Sequence, residues 1–326
     1  LLSWSSYSAG RYYPARYKPM AASMKNSARV VPALFVVLWA TGFIGARYAM
    51  PWAEPFTFLW VRFALSFALL LALIPIFGAK AIGLRNALHA GIAGILMHAL
   101  YLGGVFWAVK HGLPAGFAGL IVGLQPMLTA VMAGAFIGET VTRKHWFGLL
   151  VGLVGVAIVL SPKFNQISGG VTLATVGAAI VAVIAMSAGT VWQKHFVSRA
   201  DLVTVTLCQY AGGWLVAFCA SLAFEHQEFT INGELIFAMA WLVLVLSLGA
   251  IFLLMILIRE GEVARVASLF YLVPAVTALL AWLLFGETLN LVQLVGMAIT
   301  TFGVALATRK PPAQPLPAPT TARASR

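Results

Sequence analysis

Thr41, His98, Gln125, Ser187 and Ser247 fall close to the centres of five long apolar runs. Where such runs cross a bilayer, polar side chains at mid-depth must face a bundle interior or a wet cavity. Polar groups gathered at one depth can hold a small solute. His98 adds a second chemistry, because an imidazole titrates near neutral pH and can carry a proton. The alternative is a neutral histidine that hydrogen-bonds across a helix contact. No Asp or Glu lies at mid-depth, so a carboxylate-based proton relay is unsupported and passive flux stays open.

Arg62 stands about four residues, roughly 6 Å, outward of the centre of its run. A cation there needs a partner. A substrate carboxylate fits, with bidentate geometry; helix-end carbonyls or Glu54 fit as well. Trp39, Tyr101, Trp192 and Tyr271 lie in or near the same helices. Aromatic walls suit an amphipathic or aromatic solute. Lipid-facing or interfacial anchoring is the alternative, and it suits Trp52, Trp107 and Trp146 better. Gln125 precedes Pro126, and Val273 precedes Pro274. A proline removes one helix hydrogen bond and frees a carbonyl about a turn earlier. Pro126 and Pro274 are therefore expected to break their helices, either to bind substrate through freed backbone or as packing kinks satisfied by neighbours.

The elements that must position these groups follow from composition. Hydrophobic residues make up 61% of the chain, charged residues 9%, and mean hydropathy is +0.94. An average soluble domain carries about 25% charge, so the bilayer is the expected solvent. Apolar runs at 31–50, 55–77, 87–109, 114–136, 145–161, 174–195, 202–223, 237–258, 263–285 and 291–308 are each about long enough to cross a core roughly 30 Å thick as a helix. The sequence predicts an all-α integral membrane protein of about ten transmembrane helices. Short loops leave no room for a soluble domain. Residues 1–28 and the Pro/Ala-rich stretch 309–326 read as disordered tails.

The net charge of +12 is a topology signal rather than a nucleic-acid footprint. With the N-terminus inside, the inner segments hold Lys80, Arg85, Arg143, Lys144, Lys194, Arg199, Arg259, Arg265 and both basic tails, while the outer side holds Arg47, Lys110 and Lys163. The positive-inside rule then puts both termini in the cytoplasm. Cys208 and Cys219 share one span, eleven residues or roughly 16 Å apart on a helix, too far for a disulfide.

Gly-Glu-Thr occurs at 138–140 and again at 286–288. Sliding 113–160 along 261–308 matches about a dozen of 48 positions, placing Pro126, Gly148 and Gly155 on Pro274, Gly296 and Gly303. A proline, a tripeptide and two glycines in one register argue for an internal repeat, 31–161 and 174–308. Five spans is an odd number, so the second copy must enter from the opposite side. The charges agree: Arg143 and Lys144 align with Leu291 and Val292, and the loop with Lys80 and Arg85 corresponds to one with Glu225, Glu228 and Glu234. Inverted repeats around a midplane site are the architecture of many secondary transporters. The glycine of each tripeptide can end its helix in a left-handed cap.

With the repeat in hand, the chain resembles the EamA family of the drug/metabolite transporter superfamily. The resemblance rests on LWATGFIGARYAMPWAEPFTFLWVRFALS (38–66), GLQPMLTAVMAGAFIGETVTRKHWFGLLVGLVGVAIVL (123–160) and YLVPAVTALLAWLLFGETLNLVQLVGMAITTFGVAL (271–306). It covers roughly 31–308. The resemblance implies a transporter of two inverted five-helix repeats in a bacterial inner membrane, exporting amino acids or other small metabolites by alternating access.

Small residues recur as Gly112, Gly116, Gly119 and Gly123, and as Gly148, Gly152 and Gly155. They read as helix-packing faces, and the fifth and tenth spans offer homodimer faces. A small-molecule substrate and the lipid bilayer are the other expected partners. Rival readings are a polytopic membrane enzyme, a receptor or scaffold without transport, or a drug or lipid transporter. Asp201 is the only Asp and metal-ligand spacings are absent, so no metal or cofactor is expected.

Overall fold

Apolar runs can satisfy their backbone in hydrocarbon as helices, and helices are what this chain forms. The computed structural model describes residues 24–113, 118, 121–164, 171–260, 263–285 and 290–308. The helices are α1 (Met24–Ala49), α2 (Pro55–Phe77), α3 (Leu84–Lys110), α4 (Gln125–Ile137), α5 (Arg143–Phe164), α6 (Leu173–Val197), α7 (Leu202–Phe224), α8 (Gly233–Arg259), α9 (Val263–Ser268 and Leu272–Phe285, joined by a 3-10 turn) and α10 (Leu291–Thr308). Seven described helices are long and apolar enough to cross a membrane. The C-terminal tail, residues 1–23 of the N-terminal tail, Gly116, Gly119 and the second Gly-Glu-Thr lie outside the described residues. α1 starts at Met24 rather than at 31, so the end of the expected N-terminal tail is helical.

Local chemistry fixes the helix starts. Asp201 accepts from the Val203 and Thr204 amides, Asn232 from the Leu235 amide, and Thr172 forms a capping box with Thr175. Gly138 ends α4 at φ +70°, the left-handed cap read from the first Gly-Glu-Thr.

Two helices are interrupted at aligned positions. The run 114–136 is not continuous, because Gly123 and Leu124 form a turn before α4. In α9 the 3-10 turn spans Leu269–Tyr271. Pro126 and Pro274 therefore sit in the first turn after each break, where a missing N–H costs little. The expected loss of a hydrogen bond inside a continuous helix is thereby corrected.

α3 and α8 carry a second shared irregularity. Each contains a π-helical stretch, Ile95–Leu100 and Leu242–Ala250. The Tyr101 amide bonds to the Leu96 and His98 carbonyls and the Ile251 amide to those of Leu246 and Leu248, each skipping the carbonyl it would use in an α-helix. Such bulges are frequent at functional sites.

Close crossings hold the bundle. Gly148, Gly152 and Gly155 of α5 face Gly296, Thr300 and Gly303 of α10, and a Cβ on Gly148 would sit 2.5 Å from the Ala307 nitrogen. These two small-residue faces close on each other within the chain. Gly94 of α3 likewise lies against the Gln209 backbone of α7.

At one end of the bundle the α1–α2 and α7–α8 connections lock together. Ala53 and Phe229 form an antiparallel bridge. The Glu225 carboxylate accepts from the Phe56 and Thr57 amides at 2.7 Å, capping α2 from across the fold. Glu54 accepts from the Glu228 amide and pairs with Lys110 at 3.4 Å. Burial pushes the Glu54 carboxyl up, but the Glu228 amide and Lys110 outweigh it and hold it below its ordinary value.

Candidate functional site

A cavity of about 60 Å³ lies inside the bundle. Trp39 and Gly42 line it from α1, Arg62 and Phe63 from α2, Met97, His98, Tyr101 and Phe106 from α3, Tyr210 from α7, and Leu246 and Ile251 from α8. It has room for a few waters and falls well short of the roughly 300 Å³ of a small ligand pocket.

Arg62 is 4% exposed. Its Nε donates to the Ser247 hydroxyl at 3.0 Å. Among the described residues it makes no ion pair, and Glu54, its sequence alternative, is held by Lys110 instead. Ser247 belongs to the π-helical stretch of α8. The Ile251 amide skips its carbonyl, which accepts the Tyr210 hydroxyl at 2.6 Å instead. The bulge thus anchors Arg62 through a side chain and Tyr210 through a carbonyl.

His98 lies in the matching stretch of α3 and is 2% exposed. Its ring stacks on Tyr210 with centroids 5.0 Å apart and an interplanar angle of 10°. Phe63 packs on both rings, 5.7 Å from His98 and 5.9 Å from Tyr210. His98 Nε2 is buried without a hydrogen-bond partner among the described residues. Trp39 is braced by Phe35 and Phe270, with centroids 5.3 and 5.1 Å away.

The structure therefore brings Trp39, Arg62, His98 and Tyr101 to one cavity, with Ser247 behind Arg62. Gln125 and Ser187 meet elsewhere, at the α4 break: the Ser187 hydroxyl donates to the Gln125 carbonyl at 3.2 Å, and Gln125 Nε2 donates to Thr129. Thr41 accepts from Trp241 Nε1 at 3.1 Å on the seam between α1 and α8. Trp192 is outside the cavity, packed with His89 and Phe196. Tyr271 is also outside it, seated on Gly152 of α5.

Phe63, Phe106 and Tyr210 were absent from the sequence-derived set. Tyr210 had a usable signal: it lies three residues from the centre of its run and follows Gln209. Nothing in the sequence distinguished Phe63 or Phe106 from lipid-facing phenylalanines.

The sequence profile of the EamA-like transporter family matches this chain twice, over residues 30–161 and 173–309. An inner membrane transporter of Escherichia coli (strain K12), YedA, is 28% identical, with 87% of this chain and 92% of the relative aligned. A protein of Salmonella typhimurium named as a probable amino-acid metabolite efflux pump is 25% identical over 83% of this chain and 91% of its own. A solved crystal structure superposes with a TM-score of 0.73 at 22% identity, covering 87% of this chain and 96% of that one. That likeness concerns the fold alone.

Proposed function

The chain belongs to the EamA-like transporter family, and from that premise we propose that it exports a small, partly apolar metabolite, an amino acid or a related carboxylate, through the cavity at Arg62 and His98. The family and the names of its relatives indicate transport rather than catalysis. The amino-acid part of the reading draws on the efflux pumps among those relatives.

The observation that carries the mechanism is where the cavity walls come from. α1, α2 and α3 supply one side, and α7 and α8 the other. These groups fall in different copies of the repeat. Rocking one copy against the other would open such a cavity to each side in turn. At about 60 Å³ it is contracted, so admission of a substrate requires the helices to part. In this reading the chain crosses the membrane about ten times as two inverted halves, 31–161 and 174–308. It lies in a bacterial inner membrane, with both termini cytoplasmic.

His98 is the titratable group that would carry a proton if transport is proton-coupled; passive flux is the competing mechanism. Gln125 and Ser187 tie the break in the fourth span to α6, through the Ser187 hydroxyl on the Gln125 carbonyl. A homodimer through α5 and α10 would use their outward apolar faces, which include Phe147, Val154, Leu294 and Phe302, because the glycine faces are closed against each other.

Counterflow into proteoliposomes tests the reading, using labelled amino acids and related carboxylates with and without a proton gradient. Selective exchange is expected, and His98→Ala and Gln125→Ala should impair it while expression stays near normal. No exchange of any solute would refute the transport reading. Wild-type exchange by both variants would refute the assignment of these residues.

A further inference from the structure

The cavity is lopsided in charge, and the lopsidedness narrows what it can hold. Arg62 is buried, lines the cavity, and spends one donor on Ser247. Its remaining N–H groups have no acceptor among the described residues. A guanidinium so placed matches both oxygens of a carboxylate. His98 Nε2, buried and unpartnered on the same wall, can donate to a carboxylate in the tautomer that protonates it.

The cavity offers no opposite charge: among the described residues no acidic side chain lines it. A zwitterionic amino acid also brings an ammonium, which needs a carboxylate or free carbonyls. The π-helical stretch of α8 could have supplied one, but the Ser247 carbonyl accepts the Tyr210 hydroxyl. The aromatic faces could attract a cation, yet Arg62 lies among them and repels one. The rest of the wall is apolar or aromatic: Trp39, Phe63, Met97, Phe106 and Leu246.

We propose that this cavity selects a singly charged carboxylate with an apolar or aromatic body and no ammonium group, such as an organic acid, over the corresponding amino acid. The inference rests on the reading of the cavity as the substrate site and deepens it by naming the charge type.

Three probes with one common ring separate the charge types: 3-phenylpropionate, phenylalanine and 2-phenylethylamine. Each is titrated calorimetrically into the full chain in lipid nanodiscs. The expected order is 3-phenylpropionate at least tenfold tighter than phenylalanine, with no heat from the amine. Arg62→Gln should weaken 3-phenylpropionate about tenfold or more and narrow its lead over phenylalanine, because the repulsion of the ammonium goes with the charge, and the wild-type order decides alone if that variant does not fold. Phenylalanine binding as tightly as 3-phenylpropionate, or no heat from 3-phenylpropionate at millimolar concentration, overturns the proposal. Counterflow keeps the two readings apart. Amino-acid exchange without 3-phenylpropionate binding would sink the charge inference and leave transport standing. The expected binding order with no exchange of any solute would do the reverse.

Discussion

α3 and α8 solve the same backbone problem and carry different chemistry. Both contain a π-helical stretch beside the cavity. In α3 that stretch presents His98 and is followed directly by Tyr101; in α8 it presents Ser247 and Leu246. Arg62 and Trp39 come from helices that neighbour α3 in sequence. The first half thus supplies the charge, the titratable ring and most of the aromatic wall. The second half supplies Ser247 and Tyr210, which hold those groups in place. The backbone irregularity occurs in both halves, while the charged and titratable side chains lining the cavity come from one.

This comparison predicts unequal effects of matched substitutions. Arg62→Gln should cost the most: losing a charge-assisted contact of roughly 1.5–3 kcal/mol weakens carboxylate binding about tenfold or more. His98→Ala should cost less in binding, since it removes a neutral donor and a ring stack worth about 0.5–1.5 kcal/mol while the Arg62 charge stays. Ser247→Ala should lower binding only a few-fold, about 1 kcal/mol, because Arg62 keeps its charge and its place on α2. Titration of the three variants with 3-phenylpropionate checks the order. If Ser247→Ala is as damaging as Arg62→Gln, the division of labour between the halves is wrong.

How much of this was legible in the sequence follows a physical line. Span positions were legible because a bilayer demands about twenty apolar residues in a row, and 55–77 appears unchanged as α2. Gly138 was legible as a cap because a left-handed residue favours glycine. The π-helical stretches were not, since their residues, ILMHAL and LVLVLSLGA, read as ordinary apolar helix. The breaks were placed at the prolines, but the chain turns just before them. Arg62 and Ser247 were both singled out, yet their pairing depends on how α2 meets α8 across the two halves. Trp192 and Tyr271 show the converse. They lie on α6 and α9, which contribute no lining residue among the described residues, and pack against His89 and Gly152 instead, an arrangement that span centres do not give.

The smallest expected effect lies at the end of the bundle, where the halves meet through Glu54 rather than through the cavity. Its carboxyl titrates below its ordinary value. Its stabilisation is therefore full above the unfolded carboxylate range, near pH 4.3, and is lost as pH falls through the lower folded value. Glu54→Gln should reduce Tm at neutral pH, and the difference from wild type should fade as pH falls through the lowered folded value. The effect should be modest because Lys110 is 45% exposed and solvent screens the pair. A pH-independent difference would show that Glu54 acts through packing instead of charge.

The central claim is that one cavity serves both sides of the membrane in turn. Tyr101 lines it, and Cys208 and Cys219 are the native cysteines. Tyr101→Cys in a Cys208→Ser, Cys219→Ser background can be challenged with a membrane-impermeant maleimide, added from each side separately. Labelling from both sides, slowed on both by 3-phenylpropionate, is the predicted result. Labelling from a single side, or protection on one side alone, would contradict alternating access at this cavity.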